Sequence, residues 1–328
     1  MNDNFCVRIP AFRRGSVGDQ AIVKQVEIYY DLYAPKFEQV FIEHSRVKDT
    51  LLYLCCDCIG YYDISVDGIN NFIQRDKPVH LLNASWGEDV KSNNVSYIKS
   101  IQHYDNLFVY CRDKYSHELM LHDFDFVNDP ILTSDIAHTC IADDNLSDTI
   151  MLRWIESCDD PIIGINIHRL FNEHNKDVER GIVQFIENHI DNYRFIFIPH
   201  DTRVLEAEYL NHICSQFPED RCRVNFCMQA GQIQLLTKML FMVITCRMHL
   251  SIFALSNNTP CIGISYNGCK TNGTYSHWNM DKYVLTPDNI NMLSVLFEDI
   301  RDNYKHTVDK LSKLYYNIKQ LAEIQLKI

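Results

Sequence analysis

The chain predicts an α/β protein built from two doubly wound parallel-sheet domains. Three observations carry that prediction. Short apolar runs alternate with stretches of helical periodicity along the whole sequence, the order expected of parallel strands joined by helices. Runs such as Phe241 to Thr245 are almost wholly apolar, as strands covered on both faces require. The length, 328 residues, leaves room for two domains of ordinary size.

Taken in order, strands are expected over 5–9, 39–42, 51–55, 79–83, 107–110, 162–167, 195–198, 224–226, 242–245 and 261–265. Each is a short run rich in Val, Ile, Leu, Phe, Tyr or Cys bounded by polar or turn-forming residues. Helices are expected over 19–32, 95–103, 114–122, 147–156, 178–189, 202–216, 233–239 and 250–256, where apolar residues recur every three or four positions. Ser157 to Pro161 separates a helix from a strong new strand. It divides the chain into an N-terminal domain over 1–158 and a second domain over 159–300. The remaining segment, 301–328, spaces Val308, Leu311, Leu314, Tyr315, Ile318, Leu321 and Ala322 as one helical stripe. That stripe suits a helix packing back on the domains better than an amphipathic helix on a membrane surface.

Composition narrows the function classes. The chain is 46% hydrophobic and 23% charged, an ordinary globular balance. A formal net charge of -12 argues against general nucleic-acid binding. No apolar run is long enough to span a bilayer, and the opening MNDNFCVRIPAFRRG has no signal-peptide core. The 13 cysteines, odd in number and scattered through apparent strands and helices, point to free thiols in a reducing compartment. A cytoplasmic location follows. Cys55, Cys56 and Cys58 are close together, but no second ligand pair at zinc spacing accompanies them, so no metal and no cofactor is expected.

The chemistry concentrates at strand ends. Arg247-Met248-His249 lies between an apolar strand and the helix opened by Leu250. Open α/β sheets bind ligands at the carboxyl ends of their strands, and a helix N-terminus there attracts anions. Arg offers a planar fork for carboxylate or phosphate, and His a group that titrates near neutrality. An anion site with acid–base capacity is the functional reading; a helix cap or a structural ion pair is the alternative. Other strands end in His168-Arg169, in Pro199-His200-Asp201 and in Arg112-Asp113. After the first strand, Gly15-Ser16-Val17-Gly18-Asp19 opens a helix, with two glycines that permit close backbone approach. Tyr275-Ser276-His277-Trp278 offers aromatic faces suited to stacking on a sugar or to filling a core.

These pieces, in this order, resemble the polysaccharide pyruvyl transferase family. The matching elements are Gly15 to Asp19, then Arg112-Asp113-Lys114-Tyr115-Ser116, then Thr133-Ser134-Asp135, then the Ile-Gly-Ile-Asn strand followed by Arg169. The last and most specific is Arg247-Met248-His249 through Pro260, Gly263-Ile264-Ser265-Tyr266 and Lys270. Ser16 and Gln20 stand where that family usually has Asn and Glu around Gly-Asp, and Asp57 to Tyr62 lacks its Gly-Gly pair.

The resemblance implies two Rossmann-like domains facing a central cleft, similar to GT-B glycosyltransferases. It further implies phosphoenolpyruvate as co-substrate and a sugar diol of a glycan or glycan precursor, lipid-linked or not, as acceptor. The product would be a cyclic pyruvate ketal, with phosphate released. A lipid-linked acceptor would bring the protein to the inner face of the membrane. On this reading Arg247, His249, Arg169 and Lys270 take the donor, while Gly18, Asp19, Arg112 and His277 lie on the acceptor side. His249 is the candidate acid, with Asp19, His200 and Asp201 as candidate bases. The rival readings are a GT-B-like glycosyltransferase using a nucleotide sugar and a non-catalytic glycan-binding relative.

Overall fold

A computed structural model describes residues 5–8, 16–29, 49–55, 66–87, 92–157, 159–168, 176–201, 204–227, 229–266 and 268–328. They fall in two compact units. The first comprises the described residues of Met1–Arg13, Ile22–Thr139 and Ile318–Ile328; the second, those of Arg14–Ala21 and Cys140–Asn317.

In the first unit β1 (Phe5–Arg8), β2 (Thr50–Leu54), β3 (Val79–Ala84), β4 (Leu107–Cys111) and β5 (Ile131–Leu132) form one parallel sheet in chain order. Leu51, Leu81, Leu107 and Val109 bury against Ile69, Phe72, Ile98 and Met120 of the flanking helices. Those helices include Val66–Gln74, which the sequence reading passed over although Ile69 and Phe72 sit on one face at helical spacing. The expected strand over 39–42 lies outside the described residues, as do Cys56 and Cys58.

In the second unit β6 (Ile162–Asn166), β7 (Arg194–Phe197), β8 (Cys222–Val224), β9 (Met242–Thr245), β10 (Cys261–Ile264) and β11 (Val284–Leu285) are also all parallel. Their spatial order is β11-β10-β9-β6-β7-β8. The chain therefore builds outward from β6 on one side, then returns to build outward on the other. The direction reverses between β6 and β9, and that is where a doubly wound sheet opens a ligand crevice. The strand expected over 224–226 stops at Val224. There Asn225 turns its amide onto the Cys227 carbonyl at 2.8 Å, closing the strand and leaving Phe226 exposed.

The expected boundary at Ser157–Pro161 is displaced. Helix Thr149–Glu156 belongs to the second unit, whose longer segment runs from Cys140. The segment before that helix is tied there by Gln232, which donates to Asp143 (2.6 Å) and to the Asn145 carbonyl (2.9 Å). Trp154 is capped by the Arg194 guanidinium 3.5 Å from its ring centre.

The C-terminal segment is two helices, Leu293–Asp302 and Tyr304–Ile324, broken at Asn303. Leu311, Ile318 and Ala322 of its stripe are buried, so packing takes up much of that face. Its last residues, Ile318–Ile328, belong to the first unit. Gln325 is wholly buried at the carboxyl edge of the first sheet. It accepts from Asn83 N (2.6 Å) and donates to the Ser134 carbonyl (2.7 Å). Among the described residues no helix is long and apolar enough to cross a membrane.

Candidate active site

Four segments of the second unit meet at the carboxyl edge of its sheet: the start of α1 (Val17–Tyr29), the end of β7, the start of helix Val204–Cys214, and Arg247-Met248-His249. The meeting is built from backbone. Ser16 bridges Asp201 in an isolated antiparallel pair, and Val17 N donates to the His200 carbonyl at 3.1 Å. The Gly-Asp opening and the Arg-x-His motif, at opposite ends of the sequence, thus share one unit.

Glu206 is the hub of this edge. One carboxylate oxygen accepts from His200 N (2.6 Å) and Asp201 N (2.7 Å), free donors where β7 ends. The other accepts from Arg247 Nε (2.9 Å) and Nη2 (2.6 Å). Asp201 lies 3.7 Å from the same Nη2. Burial works against the guanidinium charge, but Glu206, Tyr266 and Asp201 outweigh it and raise the Arg247 pKa. These contacts of the guanidinium all run through Nε and Nη2. Thr245 Oγ1 accepts from Arg247 N at 2.8 Å and fixes the turn into helix Met248–Ser256.

His249 occupies the first turn of that helix. Gly18 presses on it so closely that a methyl group built on the Gly18 Cα would overlap Cβ, Cγ and Nδ1 of His249. The His200 ring lies 6.4 Å away between centroids, with 16° between planes. His200 is buried, and neither of its ring nitrogens has a partner among the described residues. Burial, then the neighbouring His249 and Arg247, holds its pKa well below the ordinary histidine value, so His200 is neutral.

Two more buried polar atoms at this edge lack partners among the described residues: Asn166 Oδ1 at the end of β6 and Ser265 Oγ just after β10. Asn166 Nδ2 donates to the Ile198 carbonyl at 2.8 Å, so its Oδ1 is an acceptor. His168 packs against Tyr266 with 5.1 Å between ring centroids. Cys246 is fully buried, and burial pushes its thiol up to about 12, which makes it a packing group and not a nucleophile.

Of the expected site residues, Gly18, Asp19, Asp201, Arg247 and His249 come together here. Asp19 is buried in the first turn of α1, where Ser16 Oγ accepts from its backbone N at 3.4 Å. Lys270 lies in the first turn of the helix after β10. Arg169 falls outside the described residues, as do Arg13, Arg14 and Gly15.

Three expected site residues have other surroundings. Arg112 is buried in the first unit and ion-paired with Asp135 at 3.1 Å, while Asp113 caps helix Lys114–Asp123 through Ser116 N. Arg112 and Asp113 thus both make structural contacts within the first unit. His277 ends the helix Gly268–His277, about 14 Å by helical rise from the end nearest the sheet edge. Tyr275 and Trp278 of the same stretch are core residues; Tyr275 donates to Ser251 Oγ at 3.1 Å. Finally, Gly18 packs against His249.

Sequence reasoning missed Glu206, Asn166 and Ser265 as site residues. Glu206 carried one weak signal, an acidic residue in a first helical turn after a strand ending in His-Asp. The described cysteines are free. Among the described residues no three His, Cys, Asp or Glu side chains are grouped as metal ligands.

Solved structures with a similar fold include a UDP-bound protein, a UDP-GlcNAc 2-epimerase and a rhamnosyltransferase. S. aureus MnaA with UDP superposes at a TM-score of 0.59 and 12% identity, covering 94% of this chain and 78% of its own. The Methanocaldococcus jannaschii UDP-GlcNAc 2-epimerase with UDP-GlcNAc and UDP gives 0.52 at 14% identity, covering 87% and 76%. The spinosyn rhamnosyltransferase SpnG gives 0.51 at 9% identity, covering 94% and 78%. At these identities the likeness is one of fold, the GT-B-like fold of paired Rossmann units. No curated protein matches the sequence. The polysaccharide pyruvyl transferase family model matches residues 61–268, and the chain belongs to that family.

Proposed function

We propose that this member of the polysaccharide pyruvyl transferase family moves pyruvate from phosphoenolpyruvate onto two hydroxyls of a sugar, forming a cyclic ketal. The observation that carries the reading is the joining of Arg247 and His249, at a helix N-terminus, to the Gly18-Asp19 and His200-Asp201 segments beside the sheet's reversal point. A ligand with a carboxylate and a phosphate matches a guanidinium and a helix N-terminus. Lys270 adds positive charge from the first turn of the helix after the neighbouring strand β10.

The chemistry requires a proton at the methylene carbon and a base for the attacking hydroxyl. His249 gives its proton to that carbon as the first sugar hydroxyl adds to the adjacent carbon, and Asp19 or Asp201 takes the hydroxyl's proton. The second hydroxyl then displaces inorganic phosphate, losing its own proton, and the ketal ring closes. Of the two carboxylates, Asp201 lies 3.7 Å from Arg247 Nη2 and Asp19 sits in the first turn of α1 beside Gly18.

The test supplies the protein with phosphoenolpyruvate and a panel of saccharide acceptors, lipid-linked ones included, and follows phosphate release together with product mass. Phosphate released in step with one pyruvyl group per product supports the reading. Release of UDP from a UDP-sugar instead, with phosphoenolpyruvate inert, would replace it with glycosyl transfer. His249→Gln should lower turnover far more than donor affinity; the reverse pattern makes it a binding group only.

A further inference from the structure

We propose that Gly18 and His200 are positioning residues that form a slot for the His249 imidazole, so that Gly18 acts through His249 and not by touching the sugar. The inference rests on the donor-site reading above for what the slot is for, but its geometry stands independently.

A histidine in the first turn of a helix beside a ligand crevice has several side-chain rotamers open to it. Chemistry at that ring requires one of them, held to about half an ångström. Here the choice is made by two walls. Gly18 brings bare backbone against the ring, where any larger residue would overlap His249 at its Cβ, Cγ and Nδ1. Those atoms are the root of the side chain, so rotation about its outer bonds cannot relieve the clash. His200 limits the space nearby, its ring 6.4 Å away between centroids and 16° from parallel. It is itself wedged by Phe253, with 5.7 Å between ring centroids, on the helix that carries His249.

The walls are also joined to each other. Val17, next to Gly18, donates its N–H to the carbonyl of His200, and Glu206 holds the His200 backbone N–H. The slot width is therefore set by hydrogen bonds of the fold, and its walls need no ligand to stand. This gives the second glycine of the Gly-x-x-Gly-Asp opening a physical reason: it is the one residue type that lets α1 begin against an imidazole.

The experiment uses the full-length protein with ring-labelled histidines and follows the His249 resonance, assigned by its loss in His249→Gly. In the wild type, saturating phosphoenolpyruvate should shift that resonance. In Gly18→Ala and in His200→Ala the resonance should already be displaced, and the phosphoenolpyruvate-induced shift should be lost. His200→Phe, which keeps a flat wall, should restore most of both. A stability cycle guards against simple misfolding: Gly18→Ala should lower the melting temperature of the wild type but not that of His249→Gly, which lacks the clashing atoms.

The proposal is overturned if Gly18→Ala leaves the resonance and its response to phosphoenolpyruvate as in the wild type. It is equally overturned if the substitution costs as much stability in the His249→Gly background. Should the wild type show no response to phosphoenolpyruvate while the resonance and the cycle behave as expected, the slot stands and the donor reading falls.

Discussion

The two sheets present their carboxyl edges differently. In the first unit the described strands follow chain order, and the edge is sealed by the protein itself. Arg112 pairs with Asp135, and Asn83, in a left-handed conformation at φ 57°, donates to the same carboxylate at 3.3 Å. Gln325 of the C-terminal segment fills the space above them. In the second unit the strand order reverses at β6 and β9, and the edge there holds His200, Asn166 and Ser265 with polar atoms that have no partner among the described residues. Buried polar groups tied into bonds specify a fold; buried polar groups left without partners cost stability and mark a site. Similar residue types at equivalent strand ends have therefore gone to structure in one unit and, on this account, to chemistry in the other.

The contrast can be broken most severely at its structural side. Asp135→Ala removes the buried carboxylate that pairs with Arg112 and should cost about 3–5 kcal/mol in urea unfolding. A loss below about 1 kcal/mol would mean the first edge is not held by this pair.

Acid provides the next largest effect. Burial brings the pKa of His80, on β3, down to about 4, and His200 in the second unit is shifted the same way. Both are neutral when folded but bind a proton near the ordinary histidine value when unfolded. Stability should therefore be full above about pH 6.5 and fall as the pH drops toward 4, by roughly 3 kcal/mol at most from His80. His80→Phe should flatten that slope, and an unchanged slope in the variant would remove His80 from the account.

Arg247→Ala should cost about 2–3 kcal/mol by stranding Glu206, and should also abolish phosphoenolpyruvate binding. Arg247→Met combined with Glu206→Gln should recover part of the stability and none of the binding, which separates the two roles of the guanidinium. Gln325→Ala should cost about 2 kcal/mol and leave phosphoenolpyruvate affinity as it was. Were donor affinity to fall with it, the first edge would have to be counted as part of the site.

Much of this was legible in the sequence. Buried parallel strands write themselves as apolar runs, so β3, β4, β6, β9 and β10 were placed to within a residue or two. The Arg-x-His motif stood out because charge at the end of an apolar run is costly unless used. The helix Gly268–His277 did not stand out, because Gly, Asn and Thr are poor helix formers and the core contacts of Tyr275 hold it instead. Nor did the separate fates of Arg112 and Arg247. Both follow apolar strands, and only the fold shows that each has a buried carboxylate and that only one also adjoins a histidine clamped by glycine. Glu206 and Gln325 are single polar residues in helices, with partners far away in sequence.

The most direct test of the contrast is hydrogen–deuterium exchange of the full-length protein with and without phosphoenolpyruvate. The account predicts protection at 16–20, 198–206 and 245–250 and no change at 83–86, 111–116 or 133–138. Protection at the first unit's edge, with none at the second's, would contradict it.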